Sequence, residues 1–336
     1  MVTAPEHSTS PSLPRTVIGV DAGGTSTKAV LLDETGRVLS LAHTGPGNPT
    51  SAGLELAVAN NVGACVQALL AAEEPVAHPS LVAYTMAGVI AAGGRLPAIE
   101  EGLRDAGVTA QVVFKGDVLS AYFSATAEPD GRVLIVGTGT TGARVEGGEI
   151  VDSRDGLGWL IGDEGSGFWI GRKVVRACIR SLEGRGPATA LLDPLMEMVD
   201  TPAVLDTPWR DERLLRLLAW AYAHRPVELA AAARLVSQVP DDPVAAEIID
   251  GAAARVLNTV RSLGGAHGDG PIVLGGSVVA PGAPVGEKVA AALGPQVLRA
   301  RDGVAGSALI ALRELGVSAD AAALARITEG IAALRR

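Results

Sequence analysis

The sequence predicts an α/β protein of two domains, each with a mixed β-sheet flanked by helices. Short apolar segments rich in Val, Ile and Leu alternate with longer amphipathic segments, which is the pattern of strands and helices that share a core. One unusual unit also occurs twice, once near the start of each half. The repetition predicts a duplicated fold with a ligand cleft between the two domains.

The first copy of this unit is an apolar strand, a glycine-rich turn and a second apolar strand. Residues 17–20 form the first strand, which ends at Asp21, and residues 29–32 form the second. Gly23 and Gly24 predict a tight turn, because glycine accepts backbone angles that other residues avoid. The turn presents backbone N–H groups and hydroxyls to an anion, with Asp21 placed to organise a metal ion. Since it leads into a strand, it is neither a Walker loop nor a dinucleotide fingerprint.

The second copy distinguishes this interpretation from an ordinary glycine-rich hairpin. Residues 133–136 form an apolar strand, the turn Gly137-Thr-Gly-Thr140 follows, and a second strand continues from there. Each copy closes with a further hairpin, at residues 33–36 and 146–149. The matching hairpins make chance similarity the weaker explanation and indicate a nucleotide held between the halves.

The remaining elements follow from periodicity and turn signals. In the first half we predict helices over 51–72 (with Ser51 as a possible N-cap), 96–106 and 118–127, and strands over 81–86 and 112–114. In the second half we predict helices over 165–181, 203–235 with breaks at Pro208 and Pro226, 243–263, 305–315 and 320–334, the last capped by Ser318 or Asp320. Strands are predicted over 271–274 and 296–298. The turn at 128–131 predicts the boundary between an N-terminal domain over 15–129 and a C-terminal domain over 130–336. The C-terminal domain is expected to contain helical inserts, and its last helix is free to pack back on the first domain. Residues 1–14 are expected to form a leader.

Composition excludes several classes of partner. The chain has 336 residues, a net charge of −9 and no block of Lys or Arg, so neither nucleic acid nor an anionic membrane is expected as a partner. The polar leader is not a signal peptide, and the Ala-rich segments carry too many charges to span a bilayer. Cys65 and Cys178 stand far apart in no paired motif. We expect a cytoplasmic protein that acts on small molecules, and a homodimer is left open.

Two acidic features outside the turns are candidates for chemistry. Asp117 follows a predicted strand and precedes a helix, so its side chain either enters the cleft or caps the helix, and both roles can hold together. Residues 152–168 hold five glycines among four carboxylates, which favours neither helix nor strand. Such a loop suits a ligand with several hydroxyl groups, because carboxylates accept hydrogen bonds from hydroxyls. The alternative is a solvated loop with Asp163 capping the next helix, against which Trp159 and Leu160 argue.

Six segments in order resemble the N-acetylglucosamine kinase family. They are Asp21-Ala-Gly-Gly-Thr-Ser-Thr-Lys28, Gly47-Asn-Pro49, Gly116-Asp117, Gly137-Thr-Gly-Thr140, Gly162-Asp-Glu-Gly-Ser166 and Leu274-Gly-Gly-Ser277. The family belongs to the superfamily of sugar kinases, actin and heat-shock chaperones, which has two RNase-H-like (actin-like ATPase) domains, and it is related to the activator ATPases of 2-hydroxyacyl-CoA dehydratases. The resemblance covers residues 15 to about 315.

The resemblance implies roles for individual residues. ATP and Mg²⁺ are the implied cofactors, with Asp21 organising the metal and Asp117 as the catalytic base. The residues implied to contact the nucleotide are Gly23, Gly24, Thr25, Ser26, Thr27 and Lys28 in the first turn, Thr138 and Gly139 in the second, and Gly275, Gly276 and Ser277 at the adenosine. Those implied to contact an amino sugar are Asn48, Asp117, Thr140, Gly156, Leu157, Gly158 and Asp163, and the acidity of the loop adds Asp155 and Glu164 as candidates.

The function predicted on these grounds is ATP-dependent phosphorylation of the 6-hydroxyl of glucosamine. The family often has Gly-Trp-Gly where this chain has Leu157 between two glycines, which removes an apolar contact for an acetyl group. The acidic residues of the loop favour a cationic amine at C2. The alternative is an N-acetylglucosamine 6-kinase, and more distant ones are an ATPase activator or an ATP-switched regulator. An activator needs paired cysteine ligands for an iron–sulfur cluster, which Cys65 and Cys178 do not provide.

Overall fold

A computed structural model describes residues 14–73, 76–87, 96–202, 209–264 and 270–336. The strands are β1 Thr16–Ala22, β2 Thr27–Asp33, β3 Val38–Thr44, β4 Pro79–Met86, β5 Gln111–Lys115, β6 Gly131–Val136, β7 Thr140–Glu146, β8 Glu149–Asp155, β9 Ile272–Gly275 and β10 Val297–Arg299.

The helices alternate with these strands. They are α1 Pro49–Ala52, α2 Leu54–Leu70, α3 Pro97–Asp105, α4 Asp117–Phe123, α5 Gly167–Leu182, α6 Leu192–Met198, α7 Glu212–Ala223, α8 Pro243–Ser262, α9 Pro284–Leu293, α10 Gly303–Glu314 and α11 Ala321–Leu334, with 3₁₀ helices over Pro226–Ser237 and Ser277–Val279.

The strands form two five-stranded mixed sheets with the same topology. In the first sheet the order is β3-β2-β1-β4-β5, with β1, β2 and β3 antiparallel and with β4 and β5 parallel to β1. In the second the order is β8-β7-β6-β9-β10, with the corresponding directions at every pair. Helices cover the sheets, and apolar clusters fill the space between them. The predicted duplicated α/β fold with mixed sheets is confirmed.

The chain divides into two compact units, and the C-terminal segment does not belong where the sequence suggested. The first unit contains the chain up to Ala127 together with Asp302–Arg336, and the second contains Glu128–Arg301. The predicted C-terminal domain over 130–336 left only its last helix free to pack back on the first domain, whereas α10 and α11 both belong to the first unit. The reason is close helix packing through glycines: a Cβ at Gly19 of β1 would lie 2.4 Å from the Ala308 nitrogen of α10, and one at Gly306 would lie 1.9 Å from the Ser120 oxygen of α4.

Several helix starts also differ from the predictions. The segment 51–72 is two helices, the first capped by Asn48 rather than Ser51. Gly116, not Asp117, is the N-cap of α4, and Asp117 is its first residue. Ser166, not Asp163, caps α5 by accepting from the Trp169 N–H, because Asp163 uses its carboxylate elsewhere.

Other differences concern the acidic loop and the last helix. The first part of the predicted acidic loop, up to Asp155, is paired as β8. Asp320 caps α11, whereas Ser318 donates to the Asp320 carboxylate. Residues 1–13 of the predicted leader and residues 203–208 of the predicted helix over 203–235 lie outside the described residues. Within the parts of the chain that the structure describes, no helix has the length and apolar character needed to cross a bilayer.

Candidate functional site

The first glycine-rich turn joins β1 to β2 in the first unit. It is closed by a bond from the Gly23 N–H to the Ser26 oxygen, at 2.9 Å. Among the described residues, no acceptor contacts the backbone N–H groups of Gly24, Thr25 and Ser26. Gly24 and Thr25 are exposed. Successive free N–H groups in a turn bind anions, so this part of the predicted phosphate site has the expected chemistry.

Thr27, which the resemblance assigns to phosphate, has another role. Its side chain is fully buried and its hydroxyl donates to the Gly45 oxygen at 2.9 Å. As the first residue of β2 it points away from the exposed turn, since successive strand residues face opposite sides of a sheet. The structure therefore corrects the prediction for Thr27, which holds the neighbouring 45–48 loop.

Asp21 and Lys28 are cross-strand partners in the β1–β2 hairpin. Burial raises the pKa of Asp21 to about 6, with Lys28 acting in the opposite direction and the charges of Asp302 and Asp117 adding to the increase. Lys28 Nζ is 3.0 Å from Asp302 Oδ1, so its ammonium is engaged within the unit. Gly303 leaves the space for the Asp21 carboxylate, because a Cβ there would lie 2.5 Å from Asp21 Oδ2.

Asp302 is a charged group of this site that sequence reasoning missed. It caps α10 by accepting from the Val304 N–H, and it forms ion pairs with Lys28 and Arg335. Burial raises its pKa, but hydrogen bonds from Arg335 and Lys28 outweigh this and hold the pKa below its ordinary value. The sequence around Asp302 shows only an Asp before a helical segment, and this pattern predicts a helix cap but no ion pair.

Asp117 is the first residue of α4, and Gly116 alone separates it from the end of β5. The residue is open to solvent, yet the protein around the carboxyl desolvates it enough to raise its pKa, with the Val118 N–H acting in the opposite direction. Asp117 is also near enough to Asp21 for its charge to raise the pKa of that group. A solvent-accessible carboxyl with a raised pKa has the properties of a general base.

Asn48 lies beside the first turn, to which its backbone is hydrogen-bonded. The N–H groups of Gly47 and Asn48 both donate to the Gly23 oxygen, at 3.0 and 3.1 Å. The Asn48 side-chain oxygen accepts from the Thr50 N–H at 2.9 Å, and its amide nitrogen has no partner among the described residues. The Asn48 amide can therefore donate to a ligand.

In the second unit, the turn over 137–139 joins β6 to β7. Among the described residues, no acceptor contacts the N–H groups of Thr138 and Gly139. The carbonyl oxygens of Gly137 and Thr138 accept from the first N–H groups of α5, those of Gly167 at 2.7 Å and Phe168 at 3.0 Å. The start of α5 thus fixes the turn and leaves two donors free for an anion.

The same turn is bonded to the acidic loop. Asp163 Oδ1 accepts from the Thr140 N–H at 2.9 Å, and a Cβ at Gly139 would lie 2.6 Å from that oxygen. Burial raises the pKa of Asp163. The Thr140 hydroxyl is buried, and within the described residues it has no hydrogen-bond partner. A buried hydroxyl without a partner is costly, which is expected where a ligand supplies the missing bond.

Asp155 organises the acidic loop instead of facing outward. Its two carboxylate oxygens accept from the N–H groups of Asp163 (2.7 Å) and Glu164 (2.9 Å). Asp155 and Asp163 both have positive φ, at 61° and 58°, a conformation that is uncommon for non-glycine residues and that clusters at functional sites. The structure therefore gives Asp155 a supporting role and weakens its predicted contact with an amine.

The other charges of the loop are compensated as well. Asp152 pairs with Arg154, and that hydrogen bond is the main reason its pKa is lowered. Glu164 Oε2 is 2.6 Å from Arg255 Nε. Partners within the protein thus occupy the carboxylates of Asp152, Asp155 and Glu164, which leaves less of the loop's negative charge for the predicted contact with a cationic amine. Asp163 is the carboxylate of the loop that stays next to the phosphate turn.

The Gly156–Ile161 part of the loop exposes apolar side chains. Leu157 is 63% exposed, and Trp159 packs edge-on against Phe168 with ring centroids 5.7 Å apart. Gly156 and Gly158 have positive φ, at 73° and 80°, so the chain can reverse twice around Leu157. Leu157 is therefore available to a ligand, whereas Trp159 is partly occupied by Phe168.

A cavity of about 380 Å³ lies in the second unit beside the 137–139 turn. Its volume is in the range of small-ligand sites. Gly276 (φ 92°) approaches this turn so closely that a Cβ would lie 2.4 Å from the Val136 oxygen, and Ser277 lines the cavity, whereas Gly275 is buried at the end of β9. The 3₁₀ helix Pro226–Ser237 forms one wall of the cavity, a role that the sequence did not predict for it. The residues that line the cavity include Gly137, Thr138, Ala230, Ala231, Arg234 and Ser277.

The residues present suit a metal ion that is bound largely through a nucleotide. Among the described residues, no three His, Cys, Asp or Glu side chains come together as in a metal site made of protein ligands alone. Mg²⁺ in nucleotide sites keeps several waters and takes one or two carboxylates plus phosphate oxygens. Asp21, beside a turn with free N–H groups, fits that arrangement.

Comparisons with known proteins agree with this geometry. Two sheets of identical strand order, each opening with a glycine-rich turn, define an actin-like ATPase fold. The sequence model of the BadF/BadG/BcrA/BcrD ATPase family matches residues 18–311. The chain belongs to the BadF/BadG/BcrA/BcrD ATPase family.

Individual relatives point to amino-sugar kinases. The chain is 29% identical over 182 residues to the glucosamine kinase GspK of Vibrio cholerae, covering 53% of this chain and 60% of that protein. It is 30% identical over 218 residues to the N-acetyl-D-glucosamine kinase of Dictyostelium discoideum, covering 61% and 64%. The matches thus span less than two thirds of these relatives.

A solved structure supports the fold. It is a Chromobacterium violaceum protein provisionally assigned as an N-acetylglucosamine kinase, with a TM-score of 0.68 and 22% identity, covering 89% of this chain and 99% of that one. The predicted resemblance to the N-acetylglucosamine kinase family is confirmed.

Proposed function

We propose that this protein is an ATP-dependent amino-sugar kinase that transfers the γ-phosphate of ATP to the 6-hydroxyl of glucosamine. The observation that carries the proposal is the 2.9 Å bond between the Thr140 N–H and Asp163 Oδ1. It joins a turn suited to phosphate with a loop suited to hydroxyl groups inside one unit. A protein that only hydrolyses ATP needs the first of these and not the second.

Each unit, taken by itself, offers groups that suit part of an ATP molecule. The nucleoside suits the cavity lined by Thr138 and Ser277, and the free N–H groups of Thr138 and Gly139 belong to the turn beside that cavity. The free N–H groups of Gly24 and Thr25 suit phosphate oxygens. When bound, Mg²⁺ would neutralise phosphate charge, and Asp21 is the residue that would orient it. Phosphoryl transfer depends chiefly on such positioning and charge compensation.

Asp117 is proposed to orient the 6-hydroxyl and take its proton. The raised pKa of this carboxyl favours proton uptake more than an ordinary Asp does, and the side chain is accessible to a substrate. A positioned general base typically contributes roughly 10²–10⁴-fold. The proposed sugar contacts are the Asn48 amide, Asp163 and the backbone from Gly156 to Gly158. Asp155 is proposed to act on the sugar through the loop that it holds.

The preference at C2 rests on the apolar contact that this chain lacks. Leu157 offers less contact to an acetyl group than a tryptophan would, and Trp159 already packs on Phe168. The relative from V. cholerae is named a glucosamine kinase. The second candidate substrate is N-acetylglucosamine, because the relative at 30% identity is an N-acetyl-D-glucosamine kinase. The ratio of kcat/KM for the two sugars decides between them, and a higher value for N-acetylglucosamine refutes the glucosamine preference.

The reaction itself is tested with the full chain, Mg²⁺ and ATP. ADP release is measured with no sugar and with a panel of hexoses and hexosamines, and phosphorus NMR identifies the phosphorylated position. We expect release that depends on an amino sugar and a product phosphorylated at C6. Release that ignores every sugar would instead indicate an ATPase activator or regulator.

Asp117→Asn tests the mechanism separately. Asparagine keeps the shape but cannot take a proton, so we expect sugar phosphorylation to fall about 10²-fold or more while ATP affinity by calorimetry is retained. Asp105→Asn is the matched control, since Asp105 is an exposed carboxylate at the end of α3 in the same unit. Full turnover by Asp117→Asn would remove Asp117 from the chemistry.

A further inference from the structure

The loop that carries Asn48 is held by an unusual set of contacts. Three successive backbone carbonyl oxygens each accept a hydrogen bond from a different side chain, and these three donors are called the cradle below. The contacts are Thr27 Oγ1 to Gly45 O (2.9 Å), Asn60 Nδ2 to Pro46 O (2.8 Å) and Asn61 Nδ2 to Gly47 O (2.8 Å). Loops usually leave such carbonyls to solvent, so fixing three in a row restricts this loop strongly.

Asn61 is the cradle residue whose contacts support a positioning role most strongly. Its side chain is fully buried on α2, where Ala57, Ala64 and Cys65 are its buried neighbours on the helix. Its Nδ2 donates to the oxygens of both Gly47 and Ala57, whereas its Oδ1 has no partner within the described residues. A buried acceptor without a partner lowers stability. An apolar residue would avoid that cost, so the amide is explained better by what it donates to Gly47 than by core packing.

Gly47 transmits this constraint to Asn48, which the first turn contacts as well. A Cβ at Gly47 would lie 2.2 Å from Thr27 Oγ1 and 3.0 Å from Asn61 Nδ2, so the backbone is seated directly on two cradle side chains. On its other side, the N–H groups of Gly47 and Asn48 donate to the Gly23 oxygen. The position of the Asn48 amide therefore follows from the cradle below it and from the turn beside it.

We propose that Thr27, Asn60 and Asn61 are positioning residues that set the sugar affinity of this protein, with Asn61 contributing most. The inference rests on the proposed sugar kinase function. We expect the cradle to act through Asn48 and not on ATP, because β1–β2 pairing and the bond from the Gly23 N–H to the Ser26 oxygen would still hold the first turn if a cradle donor were lost. Loss of a cradle donor should therefore raise the KM for the sugar and leave the KM for ATP nearly unchanged.

The experiment compares Asn61→Ala and Thr27→Val with the parent, using glucosamine and N-acetylglucosamine. Thr27→Val keeps the size and β-branching of a buried strand residue, so it is expected to fold. Loss of a buried donor is worth about tenfold in an equilibrium, so we expect Asn61→Ala to raise the sugar KM about tenfold. Thr27→Val should raise it less, and kcat and the KM for ATP should stay within about twofold.

Asn61→Asp separates positioning from packing. It fills the same space, but an ionised carboxylate cannot donate to the Gly47 oxygen, whereas a protonated carboxyl can. The sugar KM of Asn61→Asp should therefore lie between those of the parent and Asn61→Ala, and it should approach the parent value as the pH is lowered. Asn258→Ala, at an exposed site on α8 of the second unit, controls for removing an asparagine from a helix.

The possible results are distinct. A selective rise in sugar KM supports the cradle. If Asn61→Ala lowers the melting temperature but leaves the sugar KM unchanged, Asn61 is merely structural and the proposal is overturned. The proposal is also overturned if the KM for ATP rises as much as the sugar KM. If Asn61→Ala does not fold, Thr27→Val and Asn61→Asp decide by the same criteria. If the parent phosphorylates no sugar, the proposed function fails before any variant is compared.

Discussion

Gly139 and Gly137 stand two residues apart in the same turn, and the structure gives them opposite tolerance for a methyl group. A Cβ at Gly139 would lie 2.6 Å from Asp163 Oδ1, whereas nothing lies within 4 Å of a Cβ at Gly137. Neither glycine has the positive φ that would strain an alanine. Gly139→Ala and Gly137→Ala are therefore a matched pair in which only the steric surroundings differ.

The cost of Gly139→Ala follows from how Asp163 is held. The carboxylate is bonded to the Thr140 N–H, and the Asp163 N–H is bonded to Asp155, so the short side chain cannot move away without losing a bond. Hydrogen bonds to charged groups contribute about 1.5–3 kcal/mol. A loss of about 2 kcal/mol lowers the melting temperature of a unit of this size by about 4–8 °C.

The assay is thermal unfolding of both variants without ligand, followed by kinetics. Gly139→Ala should melt several degrees lower and show a raised sugar KM, because Asp163 is displaced. Gly137→Ala should melt like the parent and show a raised KM for ATP, since Gly137 lines the cavity. Equal melting temperatures for Gly139→Ala and the parent would refute the steric account of the turn.

Two further predictions concern carboxyl groups. Asp155→Asn keeps one acceptor for the Asp163 N–H but loses the second to Glu164, so we expect a stability loss of about 1 kcal/mol and a higher sugar KM; Asp152→Asn is the control, and equal effects of the two would assign the loss to charge alone. Because the folded protein raises the pKa of Asp117, ionising that carboxyl opposes folding, and stability is lost as the pH rises through its folded pKa. Asp117→Asn should therefore gain melting temperature relative to the parent as the pH rises from about 4, the ordinary pKa of an Asp, and a difference that does not vary with pH would contradict the raised pKa.

The sequence alone determined the duplicated architecture and the two glycine-rich turns. These features are local: an apolar run, two glycines or a Gly-Thr-Gly-Thr segment, and a second apolar run are contiguous, so backbone preference and side-chain periodicity specify them without the rest of the chain. The strand order repeated in both sheets confirms that interpretation. The approximate helices followed from the same periodicity, although their caps did not.

Only the tertiary structure decided what individual polar side chains do. Thr27 is one residue past an exposed turn, and its burial against the 45–48 loop depends on the direction of β2 rather than on residue type. Asp155 became a support for the acidic loop because both of its oxygens meet backbone N–H groups eight and nine residues later. Asp302 reaches Lys28 from 274 positions along the chain, which no sequence spacing encodes. Hydrogen bonds of this kind depend on where distant backbone segments meet, so residue identity predicts the chemistry available and the fold selects the partner.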